Sequence, residues 1–406
     1  MRYALIGILA LFALLLTSCA EEEVFYEPEP PNPNARFLED VDYLFYILEH
    51  NFPFFNAAER ALGIDVAELK ANTRETIERG VPGRTDERFL ELLERDFFSH
   101  FNGFGHLFTM DDWFYSFILH GFQLDSPWVY VLDNPASRSF YTNAPFFGGE
   151  GAEFVFPNNV VTERIEEGRI ASISIRSFNR DNIPHDTEIV LPFLESIAED
   201  YEHLIIDIRG NGGGASAYFR EAVMQFLIDE PVSYTYYFFT TNGDHVRMFY
   251  NETPRTPHYF TASPIPVGFL DRFPYLDADD AELLHYHFYR KHTIYPSDYR
   301  VGFNGNIWLL VDERNFSAAD YAATVTQQTG FAIIVGTPTG GAGIGFDPVV
   351  AVLPNTGIAF RFQGVYSVDH LGRNGYEFVT QPDVFNREGM DALQTVLALI
   401  EEGQYQ

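Results

Sequence analysis

The first hundred residues carry apolar positions at helical spacing. Between residues 37 and 54 apolar residues recur every three or four positions, until Pro53 ends the run. A second run spans residues 65–80, and a third opens at Thr85 with its apolar residues on one face. The pattern predicts a small helical N-terminal domain over residues 36–106, which closes on a glycine-containing loop.

Beyond Gly168 the pattern changes to alternating strands and helices. Buried runs predict strands at 170–175, 204–208, 307–311 and 331–335, and amphipathic runs predict helices at 187–199, after Gly214 and from Ser317 to about Thr329. Leu353 and Ile358 flank a turn and predict a hairpin. Alternation of this kind is typical of an α/β layer. We therefore expect an α/β core over residues 166–406.

Residues 107–165 lie between these two regions and have no clear period. They mix aromatic residues with turn signals such as Asp133-Asn134-Pro135 and Gly148-Gly149-Glu150-Gly151. We interpret them as a short, mostly β insert. The chain has no internal repeat.

The N-terminus has the form of a bacterial secretion signal. Arg2 precedes an apolar run from Ala4 to Leu16, which is shorter than the roughly 20 residues that span a bilayer. Leu16-Thr17-Ser18-Cys19 is the motif at which lipoprotein signals are cut. We expect a signal peptide at 1–18, a lipid on Cys19 and an acidic, proline-rich tether at 19–35, with the protein anchored in the cell envelope on the extracytoplasmic side.

Cys19 has two alternatives to lipidation, and as the only cysteine it cannot form a disulfide within the chain. A simple cleaved signal without lipid is the main alternative, and a buried core thiol would have to lie inside the signal itself. With a single cysteine in the chain, no disulfide within it is possible.

The charge balance bears on possible partners. The formal net charge is -32, so most of the surface repels a polyphosphate, and nucleic acid is excluded as a partner. Only two of the 26 basic residues are lysines, Lys70 and Lys291.

A predicted strand runs into Gly210-Asn211-Gly212-Gly213-Gly214 and then into a helix. This arrangement places unencumbered backbone N–H groups at a helix N-terminus, where either a phosphate or an oxyanion is stabilised. The spacing Gly210-x-Gly212-x-x-Ala215 also fits a loose dinucleotide-binding fingerprint. The acidic residue that should end the next strand is missing, however, because Asp229 and Glu230 precede that strand.

Ser317 follows a buried strand and a short loop, at the start of a predicted helix. Ser317-x-x-Asp320 is itself a helix-capping pattern, so a structural role for the serine is one interpretation. The same position suits a nucleophile, because the helix dipole favours negative charge and the Ala318 N–H can point at a developing oxyanion.

The combination of these two motifs is more specific than either alone. Asp207-Ile208-Arg209-Gly210-Asn211-Gly212-Gly213-Gly214 and Phe316-Ser317-Ala318-Ala319-Asp320 resemble the two signature blocks of the tail-specific, or C-terminal processing, serine peptidases, and Gly336-Thr337-Pro338-Thr339-Gly340 resembles the turn that follows them. The resemblance runs from the helical N-terminal domain to near Asp383. It implies a crotonase-like (ClpP/crotonase) fold and hydrolysis of peptide bonds in unstructured or C-terminal segments.

The sequence departs from the usual members of that family at two points. They carry a PDZ domain between the helical domain and the core, whereas residues 107–165 are short for one and match no PDZ motif. They also use a lysine base after the serine, and Ala342 stands at that position. Neither Lys70 nor Lys291 is placed to substitute, so a Ser-Lys dyad is not expected.

The branch that resembles tricorn protease uses serine, histidine and glutamate instead. By that resemblance, His106 in Gly103-Phe104-Gly105-His106 is the general base, and Glu377 in Asn374-Gly375-Tyr376-Glu377 is the carboxylate that orients it. His100, at the end of a predicted helix, is the competing histidine. The expected oxyanion hole consists of the N–H groups of Ala318 and of one of Gly212 to Gly214, with Gly212 and Gly213 as the leading candidates.

Other polar clusters point to no cofactor or metal. His285, His287 and His292 fall in a predicted helix, where positions i and i+2 do not share a face, so a zinc site is not expected. Asp277, Asp279 and Asp280 are expected to cap that helix. The remaining alternative function is a non-catalytic peptide- or ligand-binding lipoprotein on the same fold, similar to the modules of interphotoreceptor retinoid-binding protein. The sequence does not indicate an oligomeric state.

Overall fold

The computed structural model describes residues 32–121, 126–145, 155–241, 243–251 and 263–405. The predicted signal, Cys19 and most of the predicted tether lie outside the described residues, as does part of the predicted insert. No helix in the described ranges has the length and apolar character needed to cross a membrane.

Helices dominate the N-terminal third and alternate with strands thereafter. The α-helices of four or more residues span Ala35–Asn51, Phe55–Leu62, Val66–Arg79, Asp86–Leu93, Asp112–Gly121, Pro127–Leu132, Pro135–Phe140, Asn182–Ile197, Asp244–Asn251, Ala278–Leu283, Ala318–Thr329 and Ala392–Glu401. Two π-helical segments, Glu94–Phe98 and Phe219–Met224, each continue into a short α-helical turn.

The helix ends in the N-terminal region follow from their capping residues. Asp65 accepts a hydrogen bond from the Glu68 N–H, and Thr85 accepts one from the Arg88 N–H. These contacts begin the second and third predicted helices where the capping signals placed them. The first predicted helix is also confirmed, as Ala35–Asn51.

Thirteen strands of the described residues form three sheets. In chain order they are β1 (Phe108–Thr109), β2 (Val160–Glu166), β3 (Ile170–Ile175), β4 (His203–Asp207), β5 (Val232–Thr240), β6 (Ser263–Pro264), β7 (Tyr286–Ile294), β8 (Asn306–Val311), β9 (Ile333–Gly336), β10 (Val349–Val352), β11 (Ala359–Phe362), β12 (Val365–Val368) and β13 (Val384–Phe385). The sheet orders are β1-β11-β10, β12-β5-β7-β6 and β13-β9-β8-β4-β3-β2.

The six-stranded sheet carries the α/β part of the chain. Its strands β3, β4, β8, β9 and β13 are parallel, and β2 is antiparallel at one edge. The fold is therefore mixed α/β, and the predicted strands in this region are confirmed. Because both faces of a parallel sheet are covered by helices, its strands appear in the sequence as continuous apolar runs.

Alternate side chains of the central strands enter two different cores. On β8, Leu309 and Val311 join the large core, whereas Trp308 and Leu310 face a smaller core closed by the helix Ala392–Glu401. This alternation follows from the two-residue period of a strand. The large core is continuous with the N-terminal helices.

A buried carboxylate joins the first helix to the β10–β11 turn. Asp40 is fully buried and accepts hydrogen bonds from the Asn355 N–H (2.8 Å), the Thr356 N–H (2.9 Å) and the Thr356 hydroxyl (2.6 Å). Burial raises the pKa of Asp40, and these hydrogen bonds act in the opposite direction. The predicted hairpin is present as β10 and β11. Asp40, on the first helix, stabilises its turn through these hydrogen bonds.

The interpretation of residues 107–165 as mostly β is wrong for the described part of that segment. It contains three helices and only two strands, β1 and β2. The Asn134-Pro135 pair, taken as a turn signal, is a helix start: Asn134 accepts hydrogen bonds from the Ala136 and Ser137 N–H groups, and Pro135 occupies the first helical position. Proline is favoured there because its missing N–H would be unpaired anyway.

The predicted helix around His285, His287 and His292 is also wrong. Residues Tyr286–Ile294 form β7, which pairs with β5 along its whole length. The aromatic and β-branched residues of this segment suit a strand. The helix that Asp277, Asp279 and Asp280 were expected to cap is therefore absent; the Asp277 side chain instead caps the separate short helix Ala278–Leu283, and Asp279 and Asp280 lie in its first turn.

Candidate active site

Ser317 occupies a strained turn between β8 and the helix Ala318–Thr329. Its backbone angles are φ 56° and ψ -121°, in a region that residues with side chains seldom adopt. The loop before it is held by Asn315, whose side chain accepts a hydrogen bond from the Asp312 N–H (2.7 Å) and donates one to the Asn211 carbonyl (3.2 Å). The Ser317 N–H donates to the Gly341 carbonyl (2.9 Å). Three separate segments thus hold the serine in its strained conformation.

The capping interpretation of Ser317 does not agree with this geometry. The Ser317 side chain makes no capping hydrogen bond to the helix. The Asp320 carboxylate, which would complete a capping pair, instead accepts from the Thr339 hydroxyl (2.5 Å) and the Gly343 N–H (2.7 Å). The serine hydroxyl is therefore not engaged in starting the helix.

The glycine-rich loop packs directly against the serine turn. At Gly213, φ is 105°, and a β-carbon would lie 2.6 Å from the Phe316 carbonyl oxygen and 2.9 Å from the Ala318 nitrogen. Only glycine permits so close an approach. The Ala318 N–H is at the first position of its helix, where no intrahelical acceptor exists. The two predicted halves of the oxyanion hole are therefore adjacent.

One of the predicted donors is already engaged. The Gly213 N–H donates to the Asn211 side chain (2.9 Å), so it is not free to bind an oxyanion in this conformation. At Gly212 a β-carbon would meet no atom within 4 Å, so its surroundings are open. Of the two leading glycine candidates, Gly212 is the one whose surroundings leave room for a substrate atom.

His106 lies in the protein interior, on a loop whose backbone conformation requires glycine at two positions. Gly103 and Gly105 have φ of 78° and 65°, and a β-carbon at Gly105 would lie 2.3 Å from the Phe52 ring. His106 itself has a positive φ of 52° and is 4 % exposed. Its ring centroid lies 4.8 Å from that of Phe316, the neighbour of the serine.

The competing histidine is differently placed. His100 is exposed at the surface, next to the left-handed Asn102 that ends its helix. His106 is the one of the two that packs against the serine turn. Among the hydrogen bonds of the described residues, however, none joins His106 to Ser317, and the imidazole is held by Tyr376 alone. Catalytic hydrogen bonds of this kind often tighten only in the substrate complex.

The imidazole of His106 is oriented by a phenol. Nδ1 of His106 lies 2.5 Å from the hydroxyl of Tyr376, which is itself buried between aromatic rings. Burial raises the pKa of Tyr376 well above its usual value, so the phenol stays neutral. If Nδ1–H donates to the phenol oxygen, the other ring nitrogen keeps its lone pair and can accept a proton.

The expected contact between Glu377 and His106 is absent from the hydrogen bonds of the described residues. The Glu377 carboxylate instead accepts from Arg60 at both oxygens (3.0 Å each) and from the Asn374 side chain (2.6 Å). Arg60 also pairs with the buried Asp280. Adjacent residues in a tight turn point in different directions, so Tyr376 faces the histidine while Glu377 faces Arg60.

Burial and one nearby cation set the protonation state of the histidine. Burial lowers the pKa of His106 well below its usual value, and the positive charge of Arg361 lowers it further. The imidazole is therefore neutral at pH 7, as a general base must be. The hydrogen-bond partner of the imidazole is the neutral phenol of Tyr376. No carboxylate in contact with the ring therefore raises the pKa of His106 again.

Ala342 occupies the position of the lysine base, and both lysines have other surroundings. Ala342, which stands where a lysine base would be, has φ 69° and donates its N–H to the Gly375 carbonyl (2.7 Å). The ammonium group of Lys70 pairs with Glu49 on the N-terminal helices. Lys291 is exposed on β7.

Two residues of this site were not identified from the sequence. Tyr376 lies beside the predicted Glu377, and Arg361 lies on β11 opposite Phe108. The sequence contains no signal that shows which of residues 376 and 377 faces the histidine. The directions of the two side chains depend on the turn, in which the Asn374 side chain accepts hydrogen bonds from both backbone N–H groups.

Comparisons with known proteins agree with the fold and the motifs. The model of peptidase family S41 matches residues 169–384. The solved structure of mature CPAF complexed with lactacystin is 14% identical, with a TM-score of 0.56 over 91% of this chain and 99% of that chain. A structure from Parabacteroides merdae ATCC 43184 is 16% identical, with a TM-score of 0.52 over 92% of this chain and 97% of that chain. At these identities the structures show likeness of fold alone. A comparison with curated proteins finds no match.

Proposed function

Because this chain belongs to peptidase family S41, whose model matches more than half of its residues, we propose that it cleaves unstructured or C-terminal segments of polypeptides, with Ser317 as nucleophile and His106 as general base. That it is a serine peptidase follows from the family; the roles of individual residues are the proposal. The observation that carries these roles is the strained backbone of Ser317, held against Gly213 with its hydroxyl free of a capping bond. Strain of this kind persists only where the surrounding structure enforces it.

The chemical steps assign one task to each group. His106 takes the Ser317 hydroxyl proton as the oxygen attacks the peptide carbonyl, and then gives that proton to the leaving amine. The N–H groups of Ala318 and Gly212 stabilise the oxyanion. Water then hydrolyses the acyl-enzyme, again with His106 as the base. Tyr376 positions the imidazole, and Glu377 acts indirectly, since it holds the turn that carries Tyr376.

Active-site labelling tests this proposal against a non-catalytic binding protein. A fluorophosphonate probe should label the full-length protein and should fail to label Ser317→Ala, because the probe reacts with an activated serine. Cleavage of an unstructured peptide should disappear in the same variant. Labelling that survives in Ser317→Ala places the nucleophile elsewhere. If the folded protein neither reacts with the probe nor cleaves peptides, the binding function is favoured.

We also propose that residues 166–406 form a crotonase-like core, with residues 36–106 as a helical N-terminal domain and residues 107–165 inserted between them. The family and the parallel order of β3, β4, β8 and β9 support this division. An experimental structure whose core superposes on no crotonase-like protein would contradict it.

A lipid anchor at Cys19 completes the proposed organisation and places the peptidase in the cell envelope. The motif Leu16-Thr17-Ser18-Cys19 and the absence of any other cysteine in the chain support it. In bacteria fed radiolabelled fatty acid, the wild-type protein should incorporate label and Cys19→Ser should not. Cys19→Ser should also release or mis-sort the protein while the activity of the folded body is unchanged. Absence of label in the wild-type protein would disprove the anchor.

A further inference from the structure

Arg361 lies beside the proposed base, on the strand next to the histidine loop. In β11 it is paired across the sheet with Phe108, two residues after His106. The backbone holds the two segments together, since the Gln363 N–H donates to the Gly105 carbonyl (2.6 Å). The charge of Arg361 is close enough to lower the pKa of the His106 imidazole. Arg361 therefore acts electrostatically on the proposed base.

The surroundings of this cation are aromatic. Its central carbon lies 4.3 Å from the ring centroid of Phe114 and 5.2 Å from that of Phe108. Within the described ranges, no carboxylate forms an ion pair with it, although the chain has 58 acidic residues against 26 basic ones. Asp111 acts on the pKa of Arg361 only electrostatically, against the larger effect of burial, and forms no salt bridge with it.

An unpaired cation in such surroundings favours an incoming anion. Burial lowers the pKa of Arg361 to about 10, which still leaves it charged at neutral pH. A charge that has lost much of its water without gaining a counter-ion is unfavourable, and a carboxylate that supplies two parallel hydrogen bonds relieves that cost. Arg361 is the one residue of β11 that keeps part of its surface exposed, so it is not sealed from solvent.

We propose that Arg361 is a specificity-determining residue that binds a carboxylate of the peptide substrate beside the scissile bond. This inference rests on the proposed function and names the substrate class: peptides that present a negative charge near the cleaved bond. The carboxylate is either the C-terminus of the peptide or an acidic side chain. A protein of net charge -32 repels such peptides over most of its surface, so a local cation has a clear role.

Binding without turnover tests this proposal independently of catalysis. The full-length protein with Ser317→Ala is titrated with four fluorescent peptides of one unstructured sequence: free C-terminus, amidated C-terminus, and amidated with either Glu or Gln at one internal position. We expect the free acid or the Glu peptide to bind about tenfold or more tightly than its neutral counterpart, as a charge-assisted bidentate contact implies. The member of the set that shows the preference identifies the source of the carboxylate.

Variants of Arg361 test whether this residue causes the preference for charged peptides. In the same background, Arg361→Met should bring the ratio of the two affinities close to one, and Arg361→Lys should leave a smaller preference, because an ammonium lacks the planar fork. Arg88→Met is the matched control: Arg88 is exposed and pairs with Glu91, so the ratio should not change. Circular dichroism confirms folding.

Two results overturn the proposal. One is equal binding of charged and neutral peptides by the Ser317→Ala protein, which needs no Arg361 variant and so holds even if Arg361→Met does not fold. The other is a preference that survives in folded Arg361→Met. Because the Ser317→Ala protein binds without cleaving, a failure of the proposed catalytic roles would leave these affinities measurable and their ratio interpretable.

Discussion

Nδ1 of His106 and the hydroxyl of Tyr376 lie 2.5 Å apart, although 270 residues separate them in the chain. The partner of the proposed base is thus a neutral phenol, while the adjacent Glu377 is engaged with Arg60. A phenol can fix the ring tautomer but cannot stabilise an imidazolium as a carboxylate does.

Tyr376→Phe should lower kcat about tenfold with little change in KM, since one orienting hydrogen bond is lost and substrate contacts remain. Glu377→Gln should have the smaller effect on kcat, because the amide still accepts from Arg60 through one oxygen. Steady-state hydrolysis of an unstructured peptide measures both. If Glu377→Gln is inactive and folded while Tyr376→Phe is active, Glu377 is the orienting group after all.

The pH profile should carry the signature of a buried base. Burial and Arg361 both lower the pKa of His106, so the neutral, active form persists at lower pH than for an ordinary histidine. The acid limb of kcat/KM should therefore have its midpoint below about 6.5. Arg361→Met removes one of the two causes, and the midpoint should move upward. An acid limb at or above 6.5 in the wild-type protein contradicts this environment for the base.

Ser317→Ala and His106→Ala should each reduce kcat/KM by about a thousandfold or more, and the double variant should be hardly worse. Residues that act as one unit are strongly non-additive. His100→Ala serves as the control and should retain activity, since His100 is exposed. Activity in folded His106→Ala combined with its loss in His100→Ala would reverse the choice of histidine.

Replacement of the two lysines tests whether the base is a lysine, as in the usual members of the family, or a histidine. Lys70→Ala and Lys291→Ala should each leave kcat/KM nearly unchanged, because Lys70 pairs with Glu49 and Lys291 is exposed on β7. A loss as large as that of Ser317→Ala in either folded variant would mean that a lysine is the base.

Asp40→Asn should lower the free energy of unfolding by about 1–3 kcal/mol, because an amide has one acceptor oxygen and its NH₂ would face backbone donors. Asp42→Asn is the matched control; Asp42 is on the same helix, and its ion pair with Arg74 is exposed, so its effect should be within about 0.5 kcal/mol. Urea unfolding followed by circular dichroism measures both. Equal stability of Asp40→Asn and Asp42→Asn would show that the buried carboxylate adds nothing.

Local signals were sufficient where one segment determines its own structure. The caps Asp65 and Thr85 and the apolar run of β8 needed no information from distant residues. The same holds for Ser317, whose place after a strand and before a helix could be predicted from the sequence.

Predictions failed where partners from elsewhere in the chain decide the outcome. The segment Tyr286–Ile294 becomes a strand because β5 pairs with it. Arg361 enters the site because β11 pairs with β1, and no periodicity in the sequence reports that pairing. The Glu377 carboxylate binds Arg60, a partner on a helix more than 300 residues earlier that no local signal indicates.

The long sequence separation between His106 and Tyr376 has a consequence for the protein during its synthesis. A ribosome that has made the first 300 residues has produced the histidine but neither the serine nor the phenol. Since long-range contacts form late in folding, the site can assemble only when almost the whole chain has been synthesised. If these residues act as proposed, a growing chain should therefore be inactive until its synthesis is nearly complete.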